Sequence, residues 1–263
     1  AWLARYLDLS AGIPSHDRFN AIFAAINPRE FETCLLSWIT SLHEITSGQV
    51  IAIDGKTLRR SYDTASSKSA IHLVSAWATL NQISLGQVVV DAKSNEITAI
   101  PKLLDLIEIS GAMVTIDAMG CQTEIIDKIV EKKADACIAV KKNQPKLHEA
   151  IEQHFDALAE TTFADAKVRW SYSSEKGHGR EDARAYAICP VPDSVKDLDR
   201  WNQIRAIGMA TNITVRDGKE HSEIRYYMLT CYVSGKRFAD AVRNHWGIEN
   251  SLHWQLDVTF RED

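Results

Sequence analysis

Three short apolar runs constrain this chain more than any other feature: VIAID (50–54), AMVTIDA (112–118) and ACIAV (136–140). They are built of β-branched and small apolar residues without polar alternation, the pattern of strands covered on both faces. Segments of helical spacing follow them: NEITAIPKLLDLIEI (95–109), TEIIDKIVEKK (123–133), with Thr123 as its candidate cap, and PKLHEAIEQHFDAL (145–158). Strands that alternate with helices in this way make parallel sheet with helices packed on it. IHLVSAWA (71–78) and ISLGQVVV (83–90), joined by the polar link 79–82, read as an antiparallel pair ahead of the first of these helices. The expected class is α/β, a mixed sheet flanked by helices. Pro101 predicts that the first helix starts late or kinks.

The alternation breaks at residue 159. KVRWSYSS (167–174), ARAYAIC (183–189), IRAIGMATNITV (204–215) and EIRYYMLTCYV (223–233) have strand character, with turn chemistry at Lys176-Gly177 and Asp217-Gly218. Helical spacing returns in GKRFADAVRNHWGIENSLHWQLD (235–257). Ahead of the first strand, Ser15 can cap a helix carrying Phe19, Ile22, Phe23 and Ile26, and Pro28 can open a second. The expected organisation is a small helical segment at 1–48, a core made of 49–158 and 235–263, and a β-rich insertion at 159–234.

Composition bounds the function. An apolar share of 45% over 263 residues excludes general disorder. Five cysteines with no CxxC pair suggest neither a disulfide framework nor a zinc ribbon, which fits a reducing, cytoplasmic setting. No window is apolar enough to span a bilayer. The net charge of −5 weighs against a nucleic-acid partner, but bases cluster locally in KTLRR (56–60) and at Lys141, Lys142 and Lys146. A third cluster, in DKIVEKK (127–133), reads as a solvated helix face.

Chemistry concentrates at three acids. Asp54 ends VIAID and Asp117 ends VTID, each followed by a small residue. Strand ends of an α/β sheet face the crevice where ligands bind, although either aspartate alone would read as a turn or cap residue. Glu249 lies in HWGIENSLHWQLD (245–257), on one helical stripe with Val242, Trp246 and His253. An acid on a half-apolar face needs a partner, and a divalent cation shared with the two aspartates supplies one. Oxygen ligands alone match Mg²⁺ or Mn²⁺ better than Zn²⁺. His245, Glu249 and His253 at i, i+4 and i+8 offer a weaker, single-helix zinc alternative. Trp246 and Trp254 could stack on a base, but aromatics at helical spacing are more often core, and at least one of the two is expected there.

At these residues the chain resembles the DDE transposases of the ISAs1 group, within the wider IS4-like set, including the H-repeat-associated proteins. The motifs are GIPSHD (12–17), IAIDGKTLRRS (51–61), HLVSAW (72–77), KSNEITAIPKLL (93–104), VTIDAMGCQ (114–122), KKNQ (141–144), GHGR (177–180), RYY (225–227) and HWGIENSLHWQLDVTFRED (245–263). The resemblance implies a ribonuclease-H-like core with a β-rich insertion before the last acid. It also implies Asp54, Asp117 and Glu249 as catalytic and metal-holding acids, two Mg²⁺ or Mn²⁺ ions, and double-stranded DNA as partner, bound by a homodimer. Two departures stand out. Val242 and His245 occupy the places of a tyrosine and an arginine in the broader set, and Leu256 or Asp257 that of a lysine. The family pattern also runs beyond the final Glu262-Asp263, so a further C-terminal segment is expected.

DNA contacts are expected at Lys56 and Arg59, which follow Asp54, and at Lys141, Lys142, Asn143 and Gln144, just past a core strand. A basic hairpin tip, His178 and Arg180, and the pair His245 and Trp246 complete the set. For Lys56 and Arg59 a plain salt bridge is the alternative. Two other functions compete: a truncated or domesticated DNA-binding relative without catalysis, and an unrelated Mg²⁺-dependent phosphohydrolase. The latter requires an aspartate two residues after the first, and position 56 is lysine.

Overall fold

The computed structural model describes residues 3–6, 8–10, 12–41, 48–62, 69–91, 94–163, 167–177, 180–196, 200–216 and 218–262. It contains two compact units, Ala1–Ser41 and Leu42–Asp263. The first is a pair of helices, α1 (His16–Ala25) and α2 (Pro28–Ser41). Ser15 caps α1 by accepting the Arg18 amide at 3.3 Å, and Asn27 plays the same part ahead of α2, accepting the Arg29 amide at 3.0 Å.

The second unit is a mixed α/β structure on one nine-stranded sheet in the order β3-β2-β1-β4-β5-β9-β8-β7-β6. Its first half comprises β1 (Val50–Leu58), β2 (Ile71–Ala78), β3 (Ile83–Val89), β4 (Met113–Ile116) and β5 (Asp135–Val140). β1, β4 and β5 are parallel, whereas β1–β2–β3 run antiparallel. The register Ile53↔Ile116 ends the β1–β4 pairing, and β1 continues to Leu58 against β2 alone.

Strand alternation sends Ile51, Ile53, Val114, Ile116 and Ile138, all at most 3% exposed, to the face covered by α3 (Glu96–Leu106) and α4 (Thr123–Glu131). α3 begins five residues before Pro101, so the proline does not delay its start. Neither Thr123 nor Gln122, the residue actually at the cap of α4, caps it through a side chain.

The β-rich stretch forms β6 (Arg169–Gly177), β7 (Arg180–Pro190), β8 (Ala206–Arg216) and β9 (Lys219–Leu229), an antiparallel meander that joins the same sheet where β9 pairs with β5. α5 (Pro145–Glu160) precedes it, and the short α6 (Asp193–Lys196) lies between β7 and β8. α7 (Gly235–His245) then crosses the face opposite α3, capped by Ser234, with the fully buried Phe238 ring packed between Tyr186 and Tyr227.

Beyond His245 the helix widens into π-type turns at Ile248–His253 and Gln255–Thr259. Ile248, with no exposed surface, packs on Ala52 and Trp77. The widened winding changes which residues face inward. Trp246 and Trp254 are 37% and 54% exposed, so neither aromatic is core, and Ile248 holds the buried position instead.

Candidate active site

Asp54 and Asp117 directly follow the register pair Ile53↔Ile116, so they occupy equivalent places on adjacent parallel strands. The Asp117 carboxylate accepts the Met119 amide at 2.8 Å and caps the short turn Ala118–Gly120, which fixes its direction. Asp54 accepts from the Gly55 amide. Glycine at position 55 leaves room for this arrangement, because a Cβ would overlap Glu96 Oε1 and come 2.9 Å from His72 Nε2 unless those side chains moved. That pair is itself held: His72 Nε2 meets Glu96 at 2.8 Å, and its Nδ1 meets the Thr57 hydroxyl at 2.8 Å.

Asp54, Asp117 and Glu249 line one cleft of about 500 Å³, with Thr115 and His245 on its wall and Lys141 and Lys142 at its rim. Residues from five separate segments of the chain meet there. Glu249 is the exposed member and the two aspartates are half-buried. Burial raises the Asp54 carboxyl to about 7; the Gly55 amide opposes the rise, and the charges of Glu249, Asp117 and Glu96 add to it. A cation in the cleft would relieve the same repulsion. An oxygen-only donor set with room for retained water fits a hard divalent ion such as Mg²⁺. Among the described residues, no three His, Cys, Asp or Glu side chains form a ready-made cage, neither the three acids nor His245, Glu249 and His253.

Two buried histidines flank the aspartates, His245 in the cleft wall and His253 behind Asp54. Burial lowers His245 to about 4, with Arg225 and Lys141 pushing the same way, and its Nδ1 lies 3.1 Å from the Thr115 hydroxyl. His253, only 6% exposed, is lowered to about 4 by burial and by Lys56; its Nδ1 stands 3.6 Å from Asp54 Oδ2. Thr115 carries no signal in the sequence motifs alone, whereas the spacing of His253 from Glu249 places it on the same stripe. The signal for Thr115 is register: it sits opposite Ala52 on the α7 face, which Asp54 shares.

The other predicted contacts divide. Lys141, Lys142, His245 and Trp246 line the cleft, and the Trp246 ring carries the Arg225 guanidinium 4.7 Å from its centroid. Lys56 is engaged in an ion pair with Asp257 at 2.5 Å. Asn143 and Gln144 spend their amides on the Ala118 and Cys121 carbonyls, at 2.6 and 2.8 Å, and so tie the loop after β5 to the turn after Asp117. Arg59 is exposed in the turn Arg59–Ser61, and Arg180 pairs with Asp182 at 2.8 Å. His178 lies outside the described residues.

The family described as transposase DDE domain matches residues 45–263, the whole span that carries the sheet and the cleft. The chain belongs to the DDE transposases. A second family, described as DDE_Tnp_1-associated, matches residues 1–39. Over all of its length the chain is 41% identical to the H repeat-associated putative transposase YhhI and to the putative protein YbfL, both of Escherichia coli (strain K12), covering 70% of each. It is 42% identical to the putative transposase YncI of Escherichia coli O157:H7, covering 67% of that protein. Among the described residues of this DDE transposase, no helix is long and apolar enough to cross a membrane.

Proposed function

We propose that this protein carries out divalent-metal-dependent phosphodiester hydrolysis and strand transfer at the ends of its own insertion sequence, with Asp54, Asp117 and Glu249 holding Mg²⁺ or Mn²⁺. The observation that carries the reading is the convergence of these three acids on one cleft from positions far apart in sequence. Bound there, a pair of divalent ions supplies an activated water or DNA 3′-OH and stabilises the leaving oxyanion. The chain's own part is to present the carboxylates from fixed strand ends and to exclude competing charge. Burial keeps His245, in the cleft wall, and His253, behind Asp54, from adding positive charge beside the acids near neutral pH. Lys141 and Lys142 stand at the rim, where they meet the phosphates of a bound strand. In this reading the core is of the ribonuclease-H-like kind, the subgroup is ISAs1 within the IS4-like set, and the partner is double-stranded DNA bound by a homodimer.

The test is nicking of DNA carrying the element's ends. Asp54→Ala, Asp117→Ala and Glu249→Ala are each expected to abolish Mg²⁺- or Mn²⁺-dependent nicking while circular dichroism shows an intact fold. Nicking retained by any one of them overturns the assignment of that acid.

A further inference from the structure

Two residues of β1, Asp54 and Lys56, point toward the widened turns, and each is met there. His253 Nδ1 stands 3.6 Å from Asp54 Oδ2, and the Lys56 ammonium sits 2.5 Å from Asp257. The spacings correspond: strand residues two apart are separated by about 6.6 Å on one face, and helical residues four apart by about 6 Å. A third tie follows, from the Arg60 amide to the Glu262 carbonyl at 3.0 Å. This is the stretch where β1 has lost β4 as a neighbour, so the strand lacks ladder bonds on that side beyond Ile53.

His253 has no other evident task. It is almost fully buried, and its Nε2 has no hydrogen-bond partner. A buried imidazole with one bare nitrogen calls for a reason. If the proton sits on Nδ1, the bare Nε2 is an acceptor and the donor faces Asp54. This is the less costly tautomer, because unmet acceptors are better tolerated than unmet donors. At 3.6 Å the contact lies just beyond hydrogen-bond range, and a turn of the Asp54 carboxylate closes it.

We infer that His253 and Asp257 form a two-point clamp on β1. His253 acts as a positioning residue that aims Asp54 into the cleft, and the Asp257–Lys56 pair fixes the register that sets Glu249, two turns earlier, against the aspartates. The inference rests on the proposed role of Asp54 and Glu249, and it gives Lys56 an intramolecular duty in place of a DNA contact.

The experiment has two arms. In the first, Mn²⁺ binding to the whole chain is titrated by electron paramagnetic resonance for the parent, His253→Asn, His253→Gln and His253→Leu, with melting temperatures as a fold control. Asparagine places a donor near Nδ1, whereas glutamine places it near Nε2. His253→Asn is therefore expected to bind within about threefold of the parent, and the other two about 10- to 100-fold more weakly. Equal binding by all three, or equal loss in all three, overturns the positioning role.

The second arm needs no metal. Lys56→Asp and Asp257→Lys should each speed amide hydrogen exchange across 246–260 by about tenfold, and the double variant should recover most of the protection. No recovery overturns the clamp. A parent that binds no Mn²⁺ removes the ion-holding reading of the acids, and the exchange arm still decides the clamp.

Discussion

Asp54 and Asp117 stand on neighbouring parallel strands, whereas Glu249 stands on a segment wound more widely than an α-helix. Ile51, Ile53 and Val114 show no exposed surface, so the two aspartates rest on a ladder of backbone bonds inside a filled core. Their separation cannot change without breaking that ladder. Glu249 has no such floor: its neighbour Ile248 is anchored on Ala52 and Trp77, and its own side is exposed. Backbone pairing thus fixes one half of the cleft, and a handful of side chains positions the other. The difference teaches that, in the proposed site, Glu249 is the less constrained acid, held by side-chain packing where the aspartates are held by paired backbone.

Substitutions that spare the acids can break this contrast. Ile248→Ala has the largest expected effect, because truncating a fully buried anchor costs about 2–5 kcal/mol and releases the wall that carries Glu249. Denaturant titration reads the loss, and a cost under about 1 kcal/mol would mean that the wall is held elsewhere. Gly55→Ala strikes the fixed half. The new Cβ forces Glu96 and His72 apart at an expected cost of about 1–3 kcal/mol, smaller because both obstructing groups are side-chain ends. If Gly55→Ala proved the costlier of the two, the assignment of more and less constrained halves would be reversed.

The strand-borne half was legible in sequence for a physical reason. β-branched runs such as VIAID and MVTI can be buried on both faces only as strands, and an aspartate at the end of each then has to lie at a strand end. The helix-borne half was only partly legible. Spacing of four residues put Glu249 and His253 on one stripe, but periodicity counted on 3.6 residues per turn cannot foresee π-type winding, and it misplaced the tryptophans. Asn143 and Gln144 mislead in another way. A polar loop beside a site looks like a ligand contact, and nothing in the sequence says that its amides close on the Ala118 and Cys121 carbonyls. The continuity of β6–β9 with the core sheet was equally hidden, because alternation marks strands without saying which neighbour β9 will choose.

The smallest expected effect is on the pH dependence of stability, because the two halves oppose each other. Asp54 is raised from 3.8 to about 7 on the fixed side, so its contribution is fully present below 3.8 and is lost as pH rises through about 7. His245 and His253 are lowered from 6.5 to about 4 on the less constrained side. Their contribution is complete above 6.5 and is lost as pH falls toward 4, where the unfolded chain takes up protons that the folded chain refuses. Between pH 4 and 6.5 the slopes have opposite signs, but two histidines outweigh one carboxyl, so the melting temperature of the metal-free protein should rise modestly with pH. Asp54→Asn removes one slope and should expose the other, so that its melting temperature climbs with pH across that window more steeply than the parent's. Parallel profiles for the two proteins would mean that Asp54 does not feel the burial and the carboxylate charges around it. Added Mg²⁺ should act like the substitution in the parent alone, since a cation that holds Asp54 ionised cancels the same proton.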